Sequence, residues 1–143
     1  MSDEPGRLLA VDWGDKRIGL AVSDPLRMIA SPVGVILRRA GKRPPIAELL
    51  KRAGELEATA MILGLPLDGN GEETPRGAEV RRVAAEVTKR SGLAVRLVDE
   101  RFTTAAALRA IREMGGSIEG RKADVDALAA TVLLQHAMAL QAE

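Results

Sequence analysis

The chain has 143 residues, of which 46% are hydrophobic and 29% are charged, and its formal net charge is +1. This composition is typical of one soluble globular domain and excludes a disordered or fibrous protein. There is no cysteine and His136 is the only histidine, which excludes thiol nucleophiles, zinc–thiolate sites and two-histidine zinc motifs. Trp13 and Phe102 are the only aromatic residues, so the stacking platforms of single-strand-binding modules are excluded too.

The amino-terminal sequence MSDEPGRLLAVDWG starts acidic and polar, and it lacks the charged-then-apolar layout of a signal peptide. No segment approaches the ~18 apolar residues that span a bilayer. We therefore expect a cytoplasmic protein without a membrane partner.

The first half of the chain is predicted to begin with a β-hairpin. Leu8–Trp13 and Arg17–Ser23 are its antiparallel strands, and Gly14-Asp15-Lys16 is the turn between them. A third strand is expected within Met28–Leu37. The stretch RRAGKRPP then ends that strand, and helical spacing of apolar residues begins at Ile46.

The second half is predicted to alternate strands and helices. The apolar stretch AMILGL is a strand that ends at Pro66, and the polar loop 67–73 follows it. Thr74-Pro75 supplies an N-cap and first-turn proline for a helix that stops at Ser91-Gly92. The remaining predicted elements are a strand over 93–102, a helix over 105–114 and a last helix from about Asp124 to Ala142.

This order of elements predicts an α/β fold of the ribonuclease H-like type. A hairpin followed by strand–helix–strand units builds a mixed five-stranded sheet, and right-handed crossovers place helices on both of its faces. Neither an internal repeat nor a long linker divides the chain, so residues 1–143 are expected to form one domain.

Acidic residues occur where apolar strands should be buried. Asp12 lies inside the apolar run LLAVDWG, where an unpaired carboxylate costs several kcal/mol. Asp99 and Glu100 end the strand LAVRLVDE, and their side chains should point to opposite faces. Only one of the two can join Asp12 directly. We favour Glu100, which opens the following loop, with Asp99 as the alternative.

Asp126 is the third candidate acid, in the first turn of the last helix. Its helix face continues through Ala129, Ala130 and Leu133, and small alanines let a helix approach a sheet closely. Carboxylate-only ligation suits Mg²⁺ or Mn²⁺. The sequence therefore predicts a metal site of Asp12, Glu100 and Asp126, with room for two ions that activate water and stabilise a leaving oxygen in phosphoryl displacement.

Each acid also has a structural interpretation. Asp126 could simply favour its helix dipole. The remaining alternatives are ion pairs of Asp12 with Lys16 or Arg17, and of Asp99 or Glu100 with Arg101.

Four ordered motifs give the chain a resemblance that covers nearly its whole length. They are AVDWGDKRIGLAVSD at 10–24, ILGLPLDGNGEETPRGAEVRRVAAEV at 62–87, DERFTT at 99–104 and KADVDALAATVLLQ at 122–135. With them the chain resembles the YqgF (RuvX-like) family, described as pre-16S ribosomal RNA nucleases and as Holliday-junction-resolvase-like proteins. The chain departs from the family pattern at two positions: Trp13 stands where the family commonly has a small or branched residue, and Phe102 where it commonly has leucine. Both departures concern packing beside the acids.

The resemblance implies a ribonuclease H-like fold and a nuclease that uses a divalent metal. It implies catalytic roles for Asp12, Asp99, Glu100 and Asp126. The expected partner is structured RNA or branched DNA, read through the phosphate backbone. The choice between them, and between a monomer and a homodimer, stays open.

Basic residues near the acids are candidates for holding substrate phosphates. They are Lys16, Arg17, Arg76, Arg101 and Lys122, and arginine suits bidentate phosphate contacts. The alternative for each is solvent-facing charge.

Basic residues also cluster in three parts of the chain, where local polyanion-binding patches or solvated surfaces are expected. The clusters are Arg38, Arg39, Lys42 and Arg43; Arg81, Arg82, Lys89 and Arg90; and Arg121 and Lys122.

Two other functions compete with a nuclease. The hairpin around Asp12 is similar to the phosphate loop of actin-like and sugar-kinase ATPases, but those proteins clamp nucleotide between two such domains and this chain has room for one. A catalytically silent nucleic-acid-binding module is the second. Carboxylates at a phosphate site argue against it, because they repel the ligand unless a metal neutralises them.

Overall fold

The computed structural model describes residues 4–39, 41–101 and 122–142. These residues form five strands and three helices. In chain order they are β1 (Arg7–Trp13), β2 (Arg17–Ser23), β3 (Ala30–Leu37), α1 (Ile46–Glu55), β4 (Ala58–Leu65), α2 (Pro75–Ser91), β5 (Ala94–Asp99) and α3 (Lys122–Ala142).

The strands form one mixed sheet in the order β3-β2-β1-β4-β5. β1 pairs antiparallel with β2 and parallel with β4, β2 pairs antiparallel with β3, and β4 pairs parallel with β5. The predicted mixed five-stranded sheet is confirmed. β5 ends at Asp99, three residues before the predicted end, and β4 ends at Leu65. Pro66 follows β4 and has no N–H to continue the ladder.

Helices cover both faces of the sheet, as predicted. On β1, Leu9, Val11 and Trp13 belong to the core cluster that includes α1 and α2. Leu8 and Ala10 alternate with them and belong to the cluster that includes α3. β1 is therefore buried on both sides, as the apolar run in the sequence requires.

The ends of α2 follow the predicted capping chemistry. Thr74 is the N-cap, and its Oγ1 accepts a hydrogen bond from the backbone N–H of Gly77 at 3.1 Å. Pro75 is the first helical residue, where a missing N–H has no cost. Gly92 ends the helix with a φ of 76°, a left-handed conformation that glycine adopts without strain.

The helix predicted over 105–114, and Phe102, lie outside the described residues. None of the helices within residues 4–39, 41–101 and 122–142 combines the length and apolarity needed to cross a membrane.

Candidate active site

Asp12 lies near the end of β1 with a glycine on each neighbouring strand. Across the antiparallel ladder its partner is Gly19 of β2. On the other side, Gly64 of β4 follows Leu63, the partner of Val11. Asp12 is 1% exposed, and by alternation it shares the face of Leu8 and Ala10, against which α3 packs. Two side-chain-free positions therefore flank a buried carboxylate.

The space above Gly19 is filled by α3. A Cβ added at Gly19 would overlap the backbone carbonyl oxygen of Asp126 and lie 3.2 Å from its Cβ. Asp126 is 1% exposed. Because Gly19 is the ladder partner of Asp12, this close approach brings the acid of α3 to the end of β1.

The space above Gly64 is filled by the second predicted acid. A Cβ added there would lie 2.6 Å from Oε2 of Glu100 and 3.1 Å from Leu133 of α3. Glu100 is 4% exposed. The structure thus brings Asp12, Glu100 and Asp126 to the edge of the sheet at which β1, β4 and β5 end, on the face covered by α3.

Arg17 neutralises part of this acidic group. Its Nε donates to Oδ2 of Asp126 at 2.7 Å, with the Arg17 side chain 18% exposed and that of Asp126 fully buried. Arg17 opens β2, two residues before Gly19. The predicted substrate-binding arginine therefore binds a carboxylate that is 109 residues away in the chain.

Asp99 lies apart from the three grouped acids. It is the ladder partner of Leu65, which belongs to the core on the α1 and α2 side. The Arg101 guanidinium donates to both carboxylate oxygens: Nη2 and Nε donate to Oδ2 at 2.8 and 3.1 Å, and Nε also donates to Oδ1 at 3.2 Å. Hydrogen bonds from the Arg101 side chain hold the pKa of Asp99 below its ordinary value, against the effect of burial. The structural ion pair considered from the sequence is present here.

The other predicted basic residues are spread around the same edge. Lys16 is exposed in the β1–β2 turn. Arg76, in the first turn of α2, donates from Nη2 to the carboxylate of Asp15. Lys122 begins α3, and its side chain lies outside the described part of the chain. His136 is half-buried on α3.

A partly buried network on the opposite face holds the turn after Asp12. The Nε1 of Trp13 donates to Oε1 of Glu79 at 2.6 Å, and Arg38 donates to both oxygens of that carboxylate. Arg38 also donates to the carbonyl of Gly14 and lies 5.0 Å from the centre of the Trp13 ring. Burial raises the pKa of Glu79, but these hydrogen bonds outweigh it and the pKa is lowered.

Sequence reasoning missed the two glycine spacers and this network. Gly19 and Gly64 interrupt strands that are otherwise apolar, and an isolated glycine in a strand is a signal of close approach by another backbone or side chain. The partners of Trp13 had no such signal, because Glu79 and Arg38 are distant in the chain.

The three grouped acids match the donor chemistry of a hard divalent cation. All are buried oxygen donors, and Gly64 leaves the Glu100 carboxylate a space that any larger residue would fill. In the orientations described, residues 4–39, 41–101 and 122–142 contain no group of three acidic or histidine side chains arranged to hold a metal ion. The oxygen donors of the three grouped acids are of the type that Mg²⁺ and Mn²⁺ prefer.

Comparison with known proteins gives a consistent family match. A model of the RuvX family, described as Holliday junction resolvase, matches residues 6–140. A relative from Roseiflexus sp. (strain RS-1) is 38% identical over 135 residues, covering 94% of this chain and 95% of the relative. One from Koribacter versatilis is 41% identical over 130 residues, covering 91% and 84%. Both carry the name "Putative pre-16S rRNA nuclease".

Among solved structures the chain is similar to Thermus thermophilus RuvC in complex with a Holliday junction substrate. The TM-score is 0.58, with 16% sequence identity and 94% of each chain covered. A second Thermus thermophilus RuvC structure gives a TM-score of 0.57 at 14% identity, covering 94% of this chain and 95% of that one. At this identity the likeness shows the fold, which is the ribonuclease H-like fold expected from the order of elements.

Proposed function

The chain belongs to the RuvX family, and from this membership we propose that it is a nuclease that hydrolyses phosphodiester bonds near the 5′ end of pre-16S ribosomal RNA. The substrate follows the name shared by its relatives. The same proposal places the protein in the cytoplasm, where bacterial ribosomal RNA is processed.

One observation carries the catalytic part of the proposal: three buried acids from distant parts of the chain share one edge of the sheet. Asp12, Glu100 and Asp126 are each no more than 4% exposed. Burying three carboxylates together is costly unless cations compensate them. A bound divalent cation would compensate these charges, so the burial of three acids together supports a cation-binding site here.

We assign the metal to Asp12, Glu100 and Asp126, as either one or two Mg²⁺ or Mn²⁺ ions. A bound metal ion of this kind supplies a deprotonated water and stabilises the charge on the leaving oxygen. The protein's part is to hold the acids on rigid elements, and Gly19 and Gly64 do this by letting α3 and Glu100 lie directly on the sheet. Asp99 keeps Arg101 in place beside Glu100.

Phosphates of the substrate are assigned to cations at the same edge. Lys16, Arg76, Arg101 and Lys122 are the candidates, and Arg17 joins them when it leaves Asp126. Guanidinium groups suit this task because they bind phosphate oxygens in pairs.

The test is a cleavage assay on a precursor RNA that carries the 5′ end of 16S ribosomal RNA, with Mg²⁺ or Mn²⁺. We expect wild-type cleavage and a loss of at least about 100-fold in Asp12→Asn. The matched control is Glu55→Gln, which removes one negative charge from an exposed position of α1 and should cleave as wild type does. If the wild-type protein cleaves no nucleic acid with either metal, the proposed nuclease activity is refuted.

The family description favours a second candidate, a resolvase acting on a four-way DNA junction. Symmetric cleavage of a junction needs two active sites and so a homodimer, whereas RNA processing can be done by a monomer. Running a junction substrate beside the RNA, and measuring the mass of the protein in solution, separates the two candidates.

A further inference from the structure

The β3–α1 loop carries a group of cations that the proposed active site does not use. Arg39, Lys42 and Arg43 are all exposed, and we call these three residues the basic strip. Among the described residues none of the three forms an ion pair. By contrast, the arginines next to the acids do, as in the pairs of Arg17 with Asp126 and Arg101 with Asp99.

The loop is fastened to the turn that follows Asp12. The backbone N–H of Arg38 donates to the carbonyl of Lys16 at 2.8 Å, and the Arg38 side chain donates to the carbonyl of Gly14 at 2.9 Å. A carbonyl two residues from Asp12 is therefore bonded to the residue that precedes the basic strip. Arg38 itself is committed to Glu79, so its role is to anchor the loop.

Two residues of the basic strip are also joined by a backbone hydrogen bond. The backbone N–H of Lys42 donates to the carbonyl of Arg39 at 3.1 Å, and Pro44 and Pro45 lead directly into α1. Proline has a restricted backbone and reduces the entropy that a loop loses on binding. The strip residues Arg39 and Lys42 are thus joined through the backbone, and Arg43 lies next to the prolines that lead into α1.

Beyond the loop, Arg43 lines a groove between α1 and α2 with a volume of about 590 Å³. Arg82 and Arg90 of α2 line the same groove, as do two acids, Glu79 and Glu86. Both acids are already paired, with Arg38 and Arg90 respectively. Arg43 and Arg82 are therefore excess positive charge along the groove.

We propose that the basic strip binds the phosphate backbone of the nucleic-acid substrate where it runs from the active site, past the turn 14–16, onto the α1–α2 face. This inference rests on the proposed nuclease function and extends its substrate surface. Clustered cations without carboxylate partners repel one another, and a polyanion relieves this repulsion and releases its own counterions. The contacts are to phosphates, so they are the same for RNA and DNA.

The test measures binding by fluorescence anisotropy with a labelled RNA duplex and a DNA duplex of the same sequence, in EDTA so that nothing is cleaved. The variant is Arg39→Gln, Lys42→Gln and Arg43→Gln together. The control is Arg7→Gln together with Arg96→Gln, two cations of β1 and β5 that do not line the α1–α2 groove and also lack ion pairs among the described residues.

We expect the strip variant to bind at least about 10-fold more weakly than wild type, and the slope of log affinity against log salt to fall by about 2 to 3 units. The control variant should change affinity less than about 2-fold. Equal loss in both variants, or no loss in the strip variant, overturns the inference. If the wild-type protein cleaves and the strip variant binds and cleaves equally well, the strip inference is overturned but the nuclease function is not. A wild-type protein that neither binds nor cleaves overturns the nuclease function as well.

Discussion

Gly19 lies directly beneath the backbone carbonyl of Asp126, so closely that a methyl group at position 19 would overlap the carbonyl oxygen. Because Gly19 is the ladder partner of Asp12, this contact sets how near the acid of α3 comes to the acid of β1. The geometry of the candidate site thus depends on a residue that carries no functional group.

Gly19→Ala is expected to push α3 away from β2. The clash is with backbone, which cannot rotate aside, so we expect a loss of about 1 to 3 kcal/mol in unfolding free energy. Cleavage should fall together with stability. Urea unfolding followed by circular dichroism measures the first effect.

The control is Gly54→Ala on the exposed side of α1, where an added Cβ meets nothing within 4 Å. A helical glycine replaced by alanine should leave stability unchanged or raise it by about 0.5 to 1 kcal/mol. If both variants unfold alike, the close approach of α3 to Gly19 has no energetic weight.

Gly64→Ala is expected to disturb function more than folding. The added Cβ would lie 2.6 Å from Oε2 of Glu100, the far end of a side chain that can turn away. We expect a stability loss of no more than about 1 to 2 kcal/mol and a weakening of Mn²⁺ binding of at least about 10-fold, measured by calorimetry. Unchanged Mn²⁺ affinity would argue against Glu100 as a ligand.

Glu100→Gln and Asp99→Asn should separate the two adjacent acids. Glu100 is buried beside Gly64, whereas Asp99 is held by Arg101. We expect Glu100→Gln to abolish cleavage and metal binding, and Asp99→Asn to keep metal binding with cleavage reduced by less than about 10-fold, since it only loosens Arg101. The reverse order of effects would assign the metal to Asp99.

Arg17→Gln tests whether Asp126 binds the metal. Removing the guanidinium from a fully buried carboxylate should cost about 2 to 3 kcal/mol in metal-free protein. A metal at Asp126 would replace the lost positive charge. Saturating Mn²⁺ should therefore raise the melting temperature more in Arg17→Gln than in wild type, and an equal or smaller rise speaks against Asp126 as a ligand.

The Arg38–Glu79 pair predicts acid sensitivity. The pKa of Glu79 in the folded protein lies below its ordinary value of 4.5, so the unfolded chain takes up the proton first as pH falls. The stability contributed by the pair is present above pH 4.5 and is lost as pH drops through the folded pKa.

We expect this contribution to be about 1 kcal/mol, since the side chains are partly exposed. Urea unfolding at pH 7 and at pH 3.5, followed by Trp13 fluorescence, measures it. Glu79→Gln has no carboxylate at position 79 to take up a proton, so its unfolding free energy should fall less between pH 7 and pH 3.5 than that of wild type. The same acid loss in both proteins would place the sensitivity at other acids.

Much of the fold could be predicted because its signals are local. The apolar runs on either side of the turn at 14–16 specify the hairpin, and Thr74 with Gly92 specifies the ends of α2. Pro66 decides where β4 ends. Each of these depends on the backbone chemistry of neighbouring residues, so it can be recognised from a few positions of sequence.

Asp12 and Asp126 could be named from the sequence because an acid in an apolar run, or before a stripe of alanines, is a local anomaly. What only the tertiary structure decided is which groups meet. Arg17 reaches Asp126 across 109 residues, Glu100 rather than Asp99 lies on the α3 face, and Gly19 and Gly64 leave the space for both acids. These contacts depend on how helices pack on the sheet, and packing is set by the shapes of distant elements together.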